Sequence, residues 1–330
     1  MPASLPRRLI GYGAYGLCFD NQLGRPANNP SGPTFFQALK QRAPFVNLVK
    51  VIVYYKSDAE GIGAFPNRRV PLYNPDRSVN PAFLTNLRAL VDAAAAPGMN
   101  FFVQVAVFPY QALENPPAFQ PEFIPYELIP PSSLPDSPLD RVRWFTTPGT
   151  NARTHKQKEL LAQLGQTLAH RPNVIWEIGH EMHIAEDDAH LADNKALATW
   201  LGNMRDALAA NAGADINVTS STGVHNESVV LRNFPVTIFD FHAGQWEVND
   251  HYQTGIPQAK QRAASYNPNA PLIINDDGID MPRNQPNVTG WATVAFQNGL
   301  HYSTKAPYPP AQDFSTQQIT ALHDANANVP

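Results

Sequence analysis

The stretch Asn173-Val-Ile-Trp-Glu-Ile-Gly-His-Glu-Met-His183 carries the decisive pattern of this 330-residue chain. A short, mainly apolar run ends at Gly179, and His180, Glu181 and His183 follow it. A strand with so little polar alternation is one covered on both faces, as in a parallel sheet flanked by helices. Side chains alternate along a strand, so Glu177, Gly179 and Glu181 are expected on one side, toward the interior of a closed sheet. Glu181 then sits at the carboxyl end and Glu177 deeper, as a buried carboxylate paired with an arginine or a hydroxyl.

Similar runs recur along the chain. Leu9–Gly13, Leu48–Tyr55, Phe101–Phe108 and Val174–Gly179 read as four strands. Ile216–Ser220, Val236–His242, Leu272–Asn275 and Leu300–Tyr302 bring the set to eight. Between them lie apolar stripes at helical spacing: Phe83, Leu84, Leu87, Leu90 and Val91; Leu160, Leu161, Leu164 and Leu168; Leu197, Trp200, Leu201, Met204 and Leu208. Strand-helix alternation repeated in this way predicts an α/β chain folded as a (β/α)8 TIM barrel. Such a barrel takes about 250 residues, so residues 1–330 are expected to form a single barrel domain with long loops. No Gly-x-Gly-x-x-Gly follows a strand, which removes the signal for a dinucleotide crevice. Tyr110–Thr150 holds nine prolines without periodicity. Placed after the third strand, this long Pro-rich loop is expected to form a cleft wall on the face where the strands end.

Composition narrows the function. The net charge is −4 and basic residues cluster no further than pairs such as Arg68-Arg69. No phosphate-tracking nucleic-acid surface is expected from that distribution. No apolar run approaches the ~20 residues of a bilayer span, so no membrane partner is expected. A single cysteine, Cys18, excludes an internal disulfide and a Cys-based zinc cluster. The N-terminus lacks the apolar core of a signal peptide. The expected compartment is the cytoplasm, or the exterior with a leader removed, and the expected state a monomer or small homo-oligomer.

The run Ile175-Trp-Glu-Ile-Gly, followed by a polar residue and Glu181, is similar to the fourth strand of the clan A glycoside hydrolases. That resemblance implies a general acid/base role for Glu181. The polar residue in the clan is typically an Asn that binds the sugar 2-hydroxyl; here it is His180, whose imidazole still donates one hydrogen bond. Pro271-Leu-Ile-Ile-Asn-Asp-Asp-Gly278 resembles the clan's seventh strand, in which a Glu presents the nucleophile, and Asp276 takes that place. Adjacent strand residues face opposite ways, so only one of Asp276 and Asp277 enters the barrel. Asp276 is preferred, with Asp277 as the alternative. Phe239-Asp-Phe-His242 resembles the sixth strand, and Ala295–Tyr302 the passage into the eighth, which carries an aromatic sugar platform. The matches run from Asn173 to Tyr302; the preceding residues add only strand-helix order.

The resemblance thus implies a glycoside hydrolase acting on an oligosaccharide or polysaccharide without a cofactor. Cleavage needs one carboxylic acid to protonate the leaving oxygen and one carboxylate across the sugar. Separations of ~5–5.5 Å give a covalent intermediate and retention, and ~6.5–9.5 Å leave room for water and inversion. Glu181 and Asp276 are the expected catalytic pair, and His180, His242, Trp246, Tyr302, Asp277 and Tyr54 the expected sugar contacts. Two other readings use the same barrel. In one, Glu181, His183, His225, His242 and Asp276 hold a divalent metal for sugar isomerisation or hydrolysis, although no His-Glu-x-x-His helix is present. In the other, His180 and Asp276, which depart from the clan pattern, mark a carbohydrate-binding barrel that has lost its reaction.

Overall fold

A computed structural model describes residues 5–25, 29–53, 69–110, 113, 124–135, 137–182, 184, 188–213, 215–219, 221–222, 229–234, 236–242, 252–275, 285–305 and 316–329. Its strands are β1 (Ile10–Gly13), β2 (Leu48–Val53), β3 (Phe102–Val107), β4 (Val174–Ile178), β5 (Asn217–Thr219), β6 (Ser221–Thr222), β7 (Phe239–His242), β8 (Leu272–Asn275) and β9 (His301–Lys305). Every pairing between them is parallel. The sheet order is β5-β4-β3-β2-β1-β9-β8-β7-β6. The two strands at its ends, β5 and β6, are separated by a single residue of the chain. Together they fill one barrel position, so the sheet comes round on itself as eight parallel strands, the expected (β/α)8 barrel.

The helices are α1 (Phe35–Arg42), α2 (Pro81–Ala95), α3 (Pro138–Thr146), α4 (Ala152–Thr167), α5 (Leu191–Ala212), α6 (Val229–Asn233), α7 (Tyr252–Tyr266), α8 (Gln285–Gln297) and α9 (Thr316–Ala327). Their starts follow local chemistry. Thr34 and Gln37 form a reciprocal capping box at α1. Asn80 caps α2, where Pro81 removes an amide that would otherwise have no partner. The stripes Leu160, Leu161 and Leu164 on α4 and Leu197, Trp200, Leu201, Met204 and Leu208 on α5 are buried as their spacing predicts. Gly165 allows the two helices to close: a Cβ there would lie 2.9 Å from the Leu208 carbonyl oxygen. Helix α3 is a departure from expectation, because it lies within the Pro-rich stretch that shows no helical period. Ser137 accepts from the Asp140 amide and Pro138 opens the first turn, and Phe145 packs on Phe108 and Trp200 at centroid distances of 5.6 and 5.8 Å. A cap and a short apolar stripe packed into the core, Leu139, Val142 and Phe145, hold these nine residues.

The alternation sorts the strand side chains into two sets. Outward residues such as Val51, Val105, Trp176, Phe241 and Ile274 join the helices in one large apolar core. Inward residues Leu9, Leu48, Ile175, Ile238 and Ile273 plug the bottom of the barrel. Above that plug the interior turns polar, with Lys50, Gln104, Glu177, Asp240, Asn275 and Ser303 all buried. Gly11 faces Ser303 across the β1–β9 pair, and a Cβ there would approach its Oγ to 2.5 Å. Among the described residues no helix is long and apolar enough to cross a membrane.

His301 fastens β1 to β9 at the barrel floor. It lies level with Ile273, and its Nδ1 accepts the Leu9 amide at 2.9 Å. An accepting Nδ1 is unprotonated, and burial lowers the imidazole pKa from 6.5 to about 4. The unfolded chain therefore takes up a proton near pH 6.5 that the folded chain refuses until about pH 4. Stability from this residue is complete above pH 6.5 and is lost as the pH falls to about 4, a difference of about 3 kcal/mol. Urea denaturation at pH 7 and pH 4.5 should show the parent losing clearly more stability between the two than a His301→Gln variant, which keeps an acceptor and does not titrate. Equal losses would remove His301 as the cause.

Candidate active site

The polar floor of the barrel is organised around one buried cation. Lys50 Nζ on β2 lies 3.1 Å from Glu177 Oε2 and 3.8 Å from Asp240 Oδ2, with all three side chains fully buried. Gln104 on β3 donates from Nε2 to both carboxylates, at 2.9 and 2.6 Å. The other oxygen of Glu177, Oε1, meets His180 Nδ1 at 2.8 Å and receives the Ser221 hydroxyl. Burial alone raises the pKa of Glu177, but the Lys50 charge, then His180, then His242 outweigh it and hold the group well below the carboxylate range. An ionised carboxylate only accepts, so His180 carries its proton on Nδ1 and turns Nε2 toward Glu181. Of the two partners expected for Glu177, an arginine or a hydroxyl, the hydroxyl is present as Ser221, and the cation beside it is a lysine.

Glu181 owes its place to a break in the strand. β4 ends at Ile178, and Gly179 (φ 74°) and Glu181 (φ 54°) both enter the left-handed region. Gly179 is required, since a Cβ there would be strained and 3.1 Å from Leu201. For Glu181 the same conformation is a local strain that its surroundings must hold. Three contacts do so: the Glu181 amide donates to Ser221 Oγ at 2.9 Å, Oε1 meets His242 Nδ1 at 3.1 Å, and the preceding carbonyl of His180 accepts the Tyr110 amide at 2.8 Å. Oε2 faces His180 Nε2 at 3.9 Å. Burial would raise the Glu181 pKa; His180, then His242, then Lys50 reverse this and lower it, so in the free pocket the group is a carboxylate. The simple alternation that placed Glu181 inward does not survive Gly179, yet the turn returns the carboxylate to the barrel mouth.

Of the expected site residues, Glu181, His180 and His242 come together, the two imidazole rings lying 5.4 Å apart. Tyr302 does not join them. It is fully buried on the outer face of β9, edge-on to Phe296 of α8 at 6.3 Å, because its register partners Ile10 and Ile274 face the helices too. Asp276, Asp277, Trp246, Tyr54, His183 and His225 lie outside the described residues. Lys50, Gln104, Ser221, Asp240 and Asn275 were not foreseen; a lysine or glutamine inside a six-residue apolar strand was the available signal. Tyr15, after β1, is a further aromatic beside His180, at 6.4 Å.

Ser221, His180 and Glu177 do not form a nucleophilic triad. The serine proton goes to Glu177, and His180 Nδ1 stands 3.4 Å away as a second donor to the same oxygen. Glu177, His180 and His242 also bring three potential ligand atoms within 4.8 Å. The fit to a metal ion is poor, because Lys50 already supplies a positive charge 3.1 Å from Glu177 and would repel a second cation.

Removing the ammonium leaves two buried carboxylates uncompensated. Lys50→Met should destabilise the fold by about 3–5 kcal/mol, and adding Glu177→Gln should recover part of that loss. Chemical denaturation of both single variants and the double variant measures the coupling; strictly additive losses would mean that the two residues do not act as a pair.

Protein-family models and curated protein sequences give no match to the chain. Solved structures do. Endo-glycoceramidase II from Rhodococcus sp., as a lactosyl-enzyme intermediate, superposes with a TM-score of 0.62 at 14% identity over 97% of this chain and 78% of that one. A family 5 xyloglucanase from Paenibacillus pabuli gives 0.59 at 12% identity, over 97% and 98% of the two chains. A GH5 xyloglucan-specific endo-beta-1,4-glucanase from a metagenomic library gives 0.54 at 13%, covering 96% of each. This chain therefore shares the (β/α)8 fold of these enzymes, with Glu181 just beyond the carboxyl end of the fourth barrel strand.

Proposed function

We propose that the chain is a glycoside hydrolase acting on an oligosaccharide or polysaccharide, with residues 1–330 as one catalytic barrel. The observation that carries this reading is the Glu181 carboxylate, held in a left-handed turn at the end of β4 and bracketed by His180 and His242. Active sites of (β/α)8 enzymes lie on this face, built from the strand ends. Asn275 Nδ2 on β8 lies 3.5 Å from His242 Nε2, and Asp276 is the next residue of the chain. The end of β8 thus reaches the partner of Glu181, and the second carboxylate is sought in the Asp276-Asp277 pair that follows it, Asp276 being the position that matches the clan's nucleophile. All three solved neighbours carry names of glycan-cleaving enzymes, and one is a glycosyl-enzyme intermediate. This supports a retaining course with Asp276 as nucleophile.

In this reading Glu181 works first as acid and then as base. It rests ionised against His242, and it gains its proton when a second carboxylate or a bound sugar weakens the hold of the imidazoles. Attack by the Asp276 carboxylate on the anomeric carbon breaks the glycosidic bond while the proton passes from Glu181 to the departing oxygen. Water, deprotonated by Glu181, then releases the sugar. His180 presents Nε2 to a sugar hydroxyl. Trp246, Tyr54 and Asp277 remain proposed sugar contacts, and the Pro-rich loop a proposed wall.

Turnover of aryl glycosides tests the assignment. Glu181→Gln and Asp276→Asn should each lower kcat by about 10²–10⁴-fold. The Glu181→Gln loss should shrink for aryl groups whose phenols are acidic enough to leave unprotonated, and the Asp276→Asn loss should not. Anomer detection by proton NMR should show retention. Activity unchanged in both variants would end the two-carboxylate mechanism, and activity abolished by a chelator would return the metal reading.

A further inference from the structure

We infer that Ser221 is a positioning residue for Glu181, an inference that rests on the glycosidase reading for its effect on turnover. Its hydroxyl performs two tasks at once. The proton goes to Glu177 Oε1, and a lone pair accepts the Glu181 amide at 2.9 Å. One oxygen thus joins the charge network of the barrel floor to the main chain of the reacting carboxylate. Ser221 is 1% exposed, so water does not substitute for it at either end.

The arrangement addresses a specific difficulty. Glu181 holds φ at 54° without being glycine, and its carboxylate lies 3.1 Å from His242 and 3.9 Å from His180. A non-glycine residue in this region is strained and persists only where surrounding contacts impose it. The amide bond to Ser221 imposes it from the backbone side, independently of the imidazoles. The serine itself is fixed by its place in β6, where Ser221 pairs with Asp240 of β7. Because its proton is committed to an ionised Glu177, the lone pair facing Glu181 does not rotate away. Threonine would reproduce both bonds; alanine would orphan the amide and remove a donor from Glu177.

Two variants and two readouts test this. In the Ser221→Ala protein, kcat on an aryl glycoside should fall by about 10–100-fold, with KM within about threefold, the loss typical of groups that orient a reacting side chain. Ser221→Thr should restore most of it. Independently of activity, hydrogen exchange at the Glu181 amide, read by NMR, should accelerate at least about tenfold in Ser221→Ala and not in Ser221→Thr. A parent-like kcat in Ser221→Ala would overturn the proposal. So would equal losses in the two variants, or a Ser221→Ala protein that fails to fold. If Glu181→Gln retains full turnover, the glycosidase reading fails by itself, and unchanged exchange at Glu181 in Ser221→Ala then still refutes the positioning contact.

Discussion

The structure depends on one buried ammonium. Lys50 sits where the inward face of β2 leaves the apolar plug and meets two carboxylates that have no access to solvent. Moving such groups out of water costs several kcal/mol each, and the penalty is offset only where pairing and hydrogen bonding are complete. Glu177 meets that condition with four partners from four strands or turns: Lys50, Gln104, His180 and Ser221. These partners come from β2, β3, β6 and the turn after β4, which are neighbouring positions of the barrel, and Lys50 also reaches Asp240 on β7, across the barrel from β2. An apolar interior would hold the barrel closed equally well. It would not fix the rotamer and tautomer of the imidazole above it.

From that floor the site is assembled upward. Glu177 orients His180, His180 and His242 bracket Glu181, and Asn275 reaches His242 from β8. The strain in the Glu181 backbone is the local concession that lets a carboxylate at the end of a strand turn back over the barrel axis. Phe108, the residue after β3, is left-handed as well, at 58°. The amide of Gly179 donates to the Val107 carbonyl at 3.0 Å, so neighbouring strands break at the same level. The two adjacent strands thus leave the sheet together, just before Glu181.

Much of this was legible in the sequence. The eight strand positions and the helix stripes follow from apolar runs and their spacing, and the convergence of His180, Glu181 and His242 from the resemblance of the fourth and sixth strands to the clan. Helix α3 was not, because its stripe is only three residues long, Leu139, Val142 and Phe145, amid prolines; its other signal lay in Ser137-Pro138. Tyr302 was placed in the cleft by the resemblance of Ala295–Tyr302 to the clan's passage into the eighth strand. The pleat gives that face to His301, which points into the floor well below the mouth, and Tyr302 turns to Phe296. Lys50 and Gln104 stand out as polar residues in apolar strands, but their inward direction was hidden for a different reason. A strand buried on both faces shows no alternation, so the sequence carries no mark of which residues look inward. Only the pairing of six residues of β2 with six of β3 reveals that Lys50 and Gln104 lie side by side.

The departure at position 180 argues for a working site. An asparagine before the acid/base residue offers an amide whose orientation is set by its own carbonyl and amino groups. An imidazole in that place is useful only if its tautomer and ring angle are imposed from outside. Glu177 imposes both, by accepting from Nδ1 at 2.8 Å within the same turn, and Ser221 fills the second lone pair of the same oxygen. A site that had merely decayed would have no pressure to retain a fully buried ion pair beneath a substituted residue, since replacing such a pair by apolar side chains is often neutral or stabilising. The histidine and its buried carboxylate are coherent as one unit, with Nε2 presented 3.9 Å from Glu181. That unit sets a fixed hydrogen-bonding nitrogen beside the carboxylate, the place that the proposed hydrolase would use to hold a sugar hydroxyl.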